Sequence, residues 1–390
     1  MEHQNIQVAL HKKRLSTSNK ITECFSSWIL DVIKKMTLSC AILYKIRKMD
    51  SAFDKERKQL YQCFMGLTTS NQNKMDVYVL DLFKFQYKYN ETYRQFTKNL
   101  GYSEDNITNI AQIPYLPISA FKTREIKTGD FTAQEIFNSS GTSGQIRSNH
   151  FIRDVQHYHL HTAHIWSLYF SNVETYCILG LLPGYLERDG SSLISMVSYF
   201  ISLSQYKESG FYVREHETLY RHLVQCKNKN IPVVLFGVTY ALLDFAAKYH
   251  LDFPELIIME TGGMKGNREE MTKHALHDML KRSFGVSKVY SEYGMTELMS
   301  QAYTKGESYF YPNPFLKITT KQINDPLSEE KKGKPGIISI MDLANIDSCA
   351  FIQTEDLGMV YDDKRFEIAG RLDSADLRGC NLLLQETGLM

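Results

Sequence analysis

No two of the seven cysteines, Cys24, Cys40, Cys63, Cys177, Cys226, Cys349 and Cys380, make a CxxC pair, and their spacing is irregular. This argues against a zinc site and against a disulfide framework, and it fits a reducing cytoplasm in which any one thiol is free for chemistry. Long apolar runs are also missing. The most apolar N-terminal stretch, ECFSSWILDVIKKMTLSCAILYKI, is interrupted by Asp31, Lys34 and Lys35, so it falls short of the ~18–20 residues of a membrane span. It does not end in a small-residue cleavage site, which speaks against a signal peptide. There is no basic excess: 45 Lys and Arg against 44 Asp and Glu leave a formal charge of +1, which gives no reason to expect a nucleic-acid partner. The chain carries no GxxxxGK[ST] phosphate loop, no HExxH metal motif, no internal repeat and no low-complexity tract.

What remains is an ordinary globular composition, 43% hydrophobic and 23% charged over 390 residues, enough for one large domain or two to three smaller ones. The charge balance hides an asymmetry. Residues 1–48 carry nine Lys and Arg against three Asp and Glu, a net of +6, leaving 36 against 41, a net of −5, in the rest. Two readings fit the first segment: a basic amphipathic surface helix, or an atypical extension ahead of a natural start at Met49. Residues 49–390 are therefore read as one domain.

Between about 50 and 100 the apolar residues recur at helical spacing, and the pattern stops at Gly101. IPYLPISAF (113–121), with prolines at 114 and 117, reads as an extended linker. VQHYHLHTAHIWSLYF reads as a helix. Then an alternation begins. YCILGLL (176–182), IPVVLFGV (231–238), ELIIMETGG (255–263) and VSKVYSEYGMTE (286–297) read as strands, each of the first three followed by a turn and a helical pattern. Strand, turn and helix repeated in this way predict an α/β fold, a mostly parallel sheet covered by helices. Beyond Gly333 the spacing shortens to GIISIMDL and SCAFIQTEDLGMV, which predicts a β-rich subdomain.

In such folds ligands collect at the carboxyl ends of the strands. NSSGTSGQIRS (138–148) sets two glycines among five hydroxyl side chains. Gly141 and Gly144 permit a backbone that turns several N–H groups toward one point, and Ser139, Ser140, Thr142 and Ser143 add side-chain donors, a pattern that serves a flexible loop or a phosphate cradle. Arg147 can supply positive charge there. TGGMKG (261–266) closes a strand with Gly262 and Gly263, either as a tight turn or to let a flat ring approach the backbone. EYGMTE (292–297) offers an aromatic, Tyr293, then Gly294, a hydroxyl on Thr296 and a carboxylate on Glu297, suited to stacking, close approach, phosphate and Mg²⁺. Asp356 in TEDLG can accept hydrogen bonds from two vicinal ribose hydroxyls, and Arg371 follows in GRLDSADLRG. His157, His161 and His164 share one helix face and read as surface or packing residues rather than a metal site. His150 has a contact with substrate and a structural role as equal readings.

In this order the motifs resemble the adenylate-forming superfamily of acyl- and aryl-CoA ligases, luciferases and their relatives. The resemblance implies that the Ser/Thr/Gly loop holds pyrophosphate, the YGMTE segment holds adenine, phosphate and metal, Asp356 holds ribose, and Gly370 and Arg371 lie at a hinge. It narrows further. ISAFK (118–122), LLPGYLERDGSSL (181–193), LFGVTYALL (235–243) and LRGCNLLL (377–384) look like the acyl-protein synthetases of bacterial luminescence, over some 340 positions from about residue 50. That family implies ATP and Mg²⁺, a long-chain fatty acid activated as acyl-AMP, an acyl group held on a cysteine that matches Cys380, and an acceptor protein such as a fatty-acid reductase. It also implies the large N-terminal-type domain of adenylate-forming enzymes without the usual mobile C-terminal domain, because only nineteen residues follow Arg371. Arg147 stands where many of the superfamily carry lysine, so charge is kept and geometry is not. The expected catalytic set is Cys380, Glu297 and Arg147, with Glu297 on the metal. Competing readings are an aryl- or acyl-adenylating ligase passing its product to CoA or a carrier protein, an ATP-independent acyltransferase or thioesterase using Cys380, and a non-catalytic nucleotide-binding scaffold.

Overall fold

The computed structural model describes residues 52–67, 71–139, 146–183, 189–262 and 273–372. Segment 1–48, the loop residues Ser140, Gly141, Thr142, Ser143 and Gly144, Gly263 and Cys380 therefore lie outside the described residues. The chain divides into two units, Met1–Gln59 and Leu60–Met390. In the first, described residues 52–59 are helical. The second holds every strand among the described residues.

Its strands, in chain order, are β1 (Leu116–Pro117), β2 (Glu135–Asn138), β3 (Asn149–Ile152), β4 (Cys177–Leu181), β5 (Gly210–Phe211), β6 (Val233–Gly237), β7 (Ile257–Glu260), β8 (Tyr290–Tyr293), β9 (Ala302–Thr304), β10 (Phe310–Tyr311), β11 (Leu316–Lys321), β12 (Pro335–Asp342), β13 (Phe351–Val360) and β14 (Phe366–Arg371). Among the described residues twelve of them form one sheet in the order β11-β12-β13-β14-β10-β9-β8-β7-β6-β4-β5, with β1 added parallel to β13, and β2 and β3 form a separate hairpin. Strands β5, β4, β6, β7 and β8 pair in parallel. From β8 through β9, β10, β14, β13, β12 to β11 every pairing is antiparallel. The predicted β-rich part is thus the continuation of the parallel sheet.

Every residue of β4 and β6 is buried, as expected of parallel strands covered on both faces. Helices Ser192–Leu203, His216–Asn228, Thr239–Ala246 and Lys273–Phe284 make the crossovers. The first leads from β4 out to β5, and the second returns past β4 to β6, so the chain direction across the sheet reverses beside β4. Such a reversal leaves a crevice at the carboxyl ends of the flanking strands. Helix Val155–Tyr169 packs Trp166, fully buried, against the rings of Phe200, Phe236 and Tyr303 at 5.6–5.7 Å. Removing each such ring from water contributes about 2–3 kcal/mol.

Two local expectations change. The helical pattern before Gly101 is broken at Asn90, which ends Gln72–Tyr89 and caps Glu91–Asn99. Its Oδ1 accepts from the Tyr93 amide, while its buried Nδ2 donates to the Ser348 carbonyl at 3.1 Å, so a tertiary hydrogen bond fixes the break. The 113–121 segment is extended as expected, but it is not a surface linker. Ile113, Tyr115 and Leu116 are buried, and Leu116 pairs with Ile352 on β13.

Candidate functional site

The hydroxyl-rich loop springs from the tip of the β2–β3 hairpin. Asn138 pairs with Asn149, and beyond them the Ser139 amide donates to the Ser148 carbonyl at 3.1 Å while the Ser148 amide donates to Ser139 Oγ at 2.9 Å. Ser139 therefore closes the mouth of the loop, and Arg147 on the other limb is exposed. The hairpin rests on the chain that follows β4. The Asn138 amide donates to the Gly190 carbonyl at 2.6 Å. Gly190 has φ +78°, and a Cβ there would stand 2.3 Å from Asn138 Nδ2 and 2.6 Å from the Ile136 carbonyl. Only glycine meets both demands.

His150 on β3 points inward and is 1% exposed. Its Nδ1 lies 2.8 Å from the Thr296 carbonyl, an acceptor only, so Nδ1 carries the proton. Its Nε2 lies 3.3 Å from Asn345 Oδ1, and Asn345 Nδ2 donates to the Glu297 carbonyl at 2.8 Å. His150 and Asn345 together fix the backbone of Thr296 and Glu297. Burial pushes the His150 pKa down to about 4. A depressed histidine costs nothing above pH 6.5. As pH falls from 6.5 toward 4 the unfolded chain takes a proton that the folded one refuses, removing up to about 3 kcal/mol. Melting temperatures recorded from pH 7 to pH 4 are expected to drop less for His150→Gln than for the native sequence. Parallel curves would show that this ring does not set the acid sensitivity.

Glu297 is 4% exposed. Burial raises its carboxyl pKa, and the Ser148 hydroxyl, its own backbone amide and the charges of Arg371 and Lys122 pull it partly back. The turn after it is held by Asp342 at the end of β12, which accepts from the Met299 amide at 2.6 Å, the Ser300 amide at 3.1 Å and Ser300 Oγ at 2.6 Å. Asp342 is fully buried and its pKa is pushed up to about 6. Tyr293, at the end of β8, packs its ring on Phe310 and Phe366 at 5.6 and 5.4 Å and donates its hydroxyl to Asp356 Oδ2 at 2.9 Å. The β13–β14 register sets Asp356 opposite Arg371, whose Nε reaches Asp356 Oδ1 at 3.1 Å. Asp356 is 6% exposed, whereas the Arg371 side chain is 74% exposed, so the guanidinium stays open to solvent. On β7, Glu260 Oε1 accepts from Thr239 Oγ1 at 2.7 Å and from the Gly262 amide at 3.0 Å. Gly262 has φ +89°.

The structure thus links Tyr293, Asp356 and Arg371 in one hydrogen-bonded cluster, sets Glu297 against the hairpin mouth at Ser148, and puts Gly262 at the neighbouring strand end. Sequence reasoning missed Asp342 and Asn345; the available signal was MDLAN, a polar break after an apolar strand. His157 and His161 are packing residues as expected. Their Nε2 atoms lie 3.1 Å from the Ala344 carbonyl and 2.8 Å from Ser300 Oγ, and among the described residues no cluster suits a metal ion. His164 is exposed. Among the described cysteines, Cys177, Cys226 and Cys349 are buried and Cys63 is exposed. Burial pushes the Cys349 thiol up to about 12, which leaves it unreactive. Among the described residues no helix is long and apolar enough to cross a membrane.

The family model described as "Acyl-protein synthetase, LuxE" matches residues 63–165 and 192–388, more than half of the chain. The chain belongs to the acyl-protein synthetase family. It is a ligase. Within that family it is 24% identical over 343 residues to the long-chain-fatty-acid–luciferin-component ligase of Aliivibrio fischeri, covering 79% of this chain and 86% of the relative. It is 40% identical over 67 residues to the enzyme of that name from Photorhabdus luminescens, covering 17% and 57%. The fold is similar to that of 2-hydroxyisobutyryl-CoA ligase, solved in an open conformation with 2-HIB-AMP and CoA, with a TM-score of 0.59 at 12% identity, covering 77% of this chain and 70% of that one. The acyl-protein synthetase thus has the adenylate-forming fold expected from its sequence.

Proposed function

We propose that this acyl-protein synthetase uses ATP to activate a long-chain fatty acid as acyl-AMP, receives the acyl group on Cys380, and passes it to an acceptor protein such as a fatty-acid reductase. The observation that carries the reading is the Tyr293–Asp356–Arg371 cluster beside buried Glu297, at the end of the sheet where the hydroxyl-rich hairpin opens. Asp356 has lone pairs left for a ribose diol, and exposed Arg371 is free to meet phosphate. Two anions, the fatty carboxylate and the α-phosphate, must meet, so loop N–H groups and cations have to offset their repulsion.

Glu297 fits Mg²⁺: burial alone disfavours its charged form, and a cation beside it reverses that preference. When bound, the ion would neutralise phosphate charge as pyrophosphate leaves. His150 and Asn345 hold the Glu297 backbone in place, and the Ser148 hydroxyl orients its carboxylate. The acyl carrier needs a thiol that substrate can reach, which buried Cys177, Cys226 and Cys349 do not offer.

The test is incubation with radiolabelled tetradecanoic acid and Mg²⁺, with and without ATP, comparing the native sequence with Cys380→Ala. ATP-dependent, hydroxylamine-sensitive label that the variant lacks is the expected result. Equal labelling of the variant would remove Cys380 from its role, and no label on either protein would remove the fatty acid.

A further inference from the structure

Lys122 ends the ISAFK segment, on the short helix Ala120–Thr123. Two sets of contacts fix that helix beside the site. On one side, β1 pairs with β13 at Ile352 and Gln353, and the Ile118 amide donates to the Gln353 carbonyl at 2.8 Å. β14 takes the same edge of β13 only from Asp356 onward. Lys122 reaches into the gap between β1 and β14, where its Nζ lies 3.3 Å from Glu355 Oε1. On the other side, fully buried Phe121 meets the His150 ring edge-on at 6.2 Å, and His150 holds the Thr296 carbonyl. The ammonium group thus stands beside the turn of Thr296 and Glu297, and its charge acts on Glu297 together with that of Arg371. Side chains of Glu355 and Asp356 leave the strand in opposite directions. Pairing with β14 ends at this point, however, and Arg371 is drawn to both carboxylates. Two cations therefore converge on one place from two elements. They differ in how firmly they are held: the Arg371 side chain is 74% exposed and that of Lys122 37%.

We propose that Lys122 is the cation that brings the fatty-acid carboxylate and the α-phosphate of ATP together during adenylation. This rests on the proposed function. Glu355 holds the ammonium group at rest, and a part-exposed ion pair of this kind holds it weakly. The flexible four-carbon stem and three N–H donors of lysine let it turn from Glu355 to a more highly charged anion. With both substrates bound, Nζ donates to an α-phosphate oxygen and to the incoming carboxylate. A carboxylate oxygen then bonds to phosphorus, the bond from phosphorus to the bridging oxygen breaks, and pyrophosphate leaves with that electron pair. Lys122 keeps its proton throughout, so its contribution is charge alone. Negative charge gathers around phosphorus in the transition state, and a cation already carried on a fixed helix stabilises that state more than the separate substrates.

The experiment follows tetradecanoate-dependent exchange of labelled pyrophosphate into ATP with Mg²⁺, beside a melting curve for each protein. Lys122→Gln is expected to lower kcat for exchange about 100-fold and to change KM for ATP far less. Its melting temperature should stay close to native, because the ion pair it breaks is part-exposed. Lys122→Arg keeps the charge with another geometry and should retain about a tenth of the native rate. Lys122→Ala should regain exchange as ethylammonium is added, a response that a structural role does not produce. Glu355→Gln removes only the resting partner and should leave exchange within about threefold of native. Native-like exchange in Lys122→Gln overturns the proposal. An equal fall in Glu355→Gln also overturns it, as does loss of rate and stability together without rescue by ethylammonium, since either makes the Lys122–Glu355 pair structural. Native protein that exchanges no pyrophosphate overturns the proposed function itself, a separate and recognisable result.

Discussion

Glu297→Gln is expected to lower ATP–pyrophosphate exchange about 10³-fold while leaving the protein as stable as before, or more so. The two halves of this result come from one feature. Burial raises the Glu297 pKa, so in the absence of a cation the folded state pays to keep the group ionised. A carboxyl whose folded pKa lies above its unfolded value adds stability at low pH and loses it as pH rises through the folded pKa. At pH 8 a neutral glutamine of the same shape relieves that cost, so the variant should melt at or above the native temperature. With Mg²⁺ and ATP the sign reverses, because glutamine offers a weaker cation ligand. Measuring exchange with labelled pyrophosphate beside a melting curve at pH 8 separates the two effects. A variant that loses activity and stability together would make Glu297 a packing residue, and exchange within tenfold of native would remove it from the metal site.

The parts legible in the sequence are those with local causes. β4, β6 and β7 stand out as apolar runs because parallel strands are covered on both faces, and their glycine-bearing turns mark where the chain leaves the sheet. Tyr293, Glu297, Asp356 and Arg371 stand out in their motifs, and the structure joins Tyr293, Asp356 and Arg371 by hydrogen bonds and sets Glu297 against Ser148. The hairpin that presents the hydroxyl-rich loop was not legible, since β2 and β3 are four residues each and their register depends on contacts made elsewhere. Gly190 reads as an ordinary turn glycine until its contact with Asn138 is known. Asp342 is 42 positions from Ser300, and Asn345 is 48 from Glu297. Buried polar anchors of this kind have no period and no neighbour in the sequence, so only the fold reveals them. The proline pair at 114 and 117 misled for a related reason: β1 lies beside β13 at the end of its pairing, where a missing N–H is tolerated.

Asp356→Ala is expected to reduce kcat/KM for ATP by about 10³-fold, from two charge-assisted hydrogen bonds to the ribose at about 1.5–3 kcal/mol each. It should also destabilise the protein, for a different reason. The Tyr293 hydroxyl is buried and donates to Asp356 Oδ2, so truncation orphans a donor at a cost of about 1–3 kcal/mol. Arg371 adds little to that cost, because its exposed guanidinium is rehydrated when released. The two contributions separate in a double-mutant cycle with Tyr293→Phe. In the Tyr293→Phe background there is no hydroxyl to orphan, so the stability loss caused by Asp356→Ala should shrink to a few tenths of a kcal/mol. The loss in kcat/KM for ATP should persist in full, since the proposed ribose contact does not pass through Tyr293. If Tyr293→Phe instead erased both effects, Asp356 would act only by holding the aromatic ring between Phe310 and Phe366, and the ribose contact would have to come from another residue.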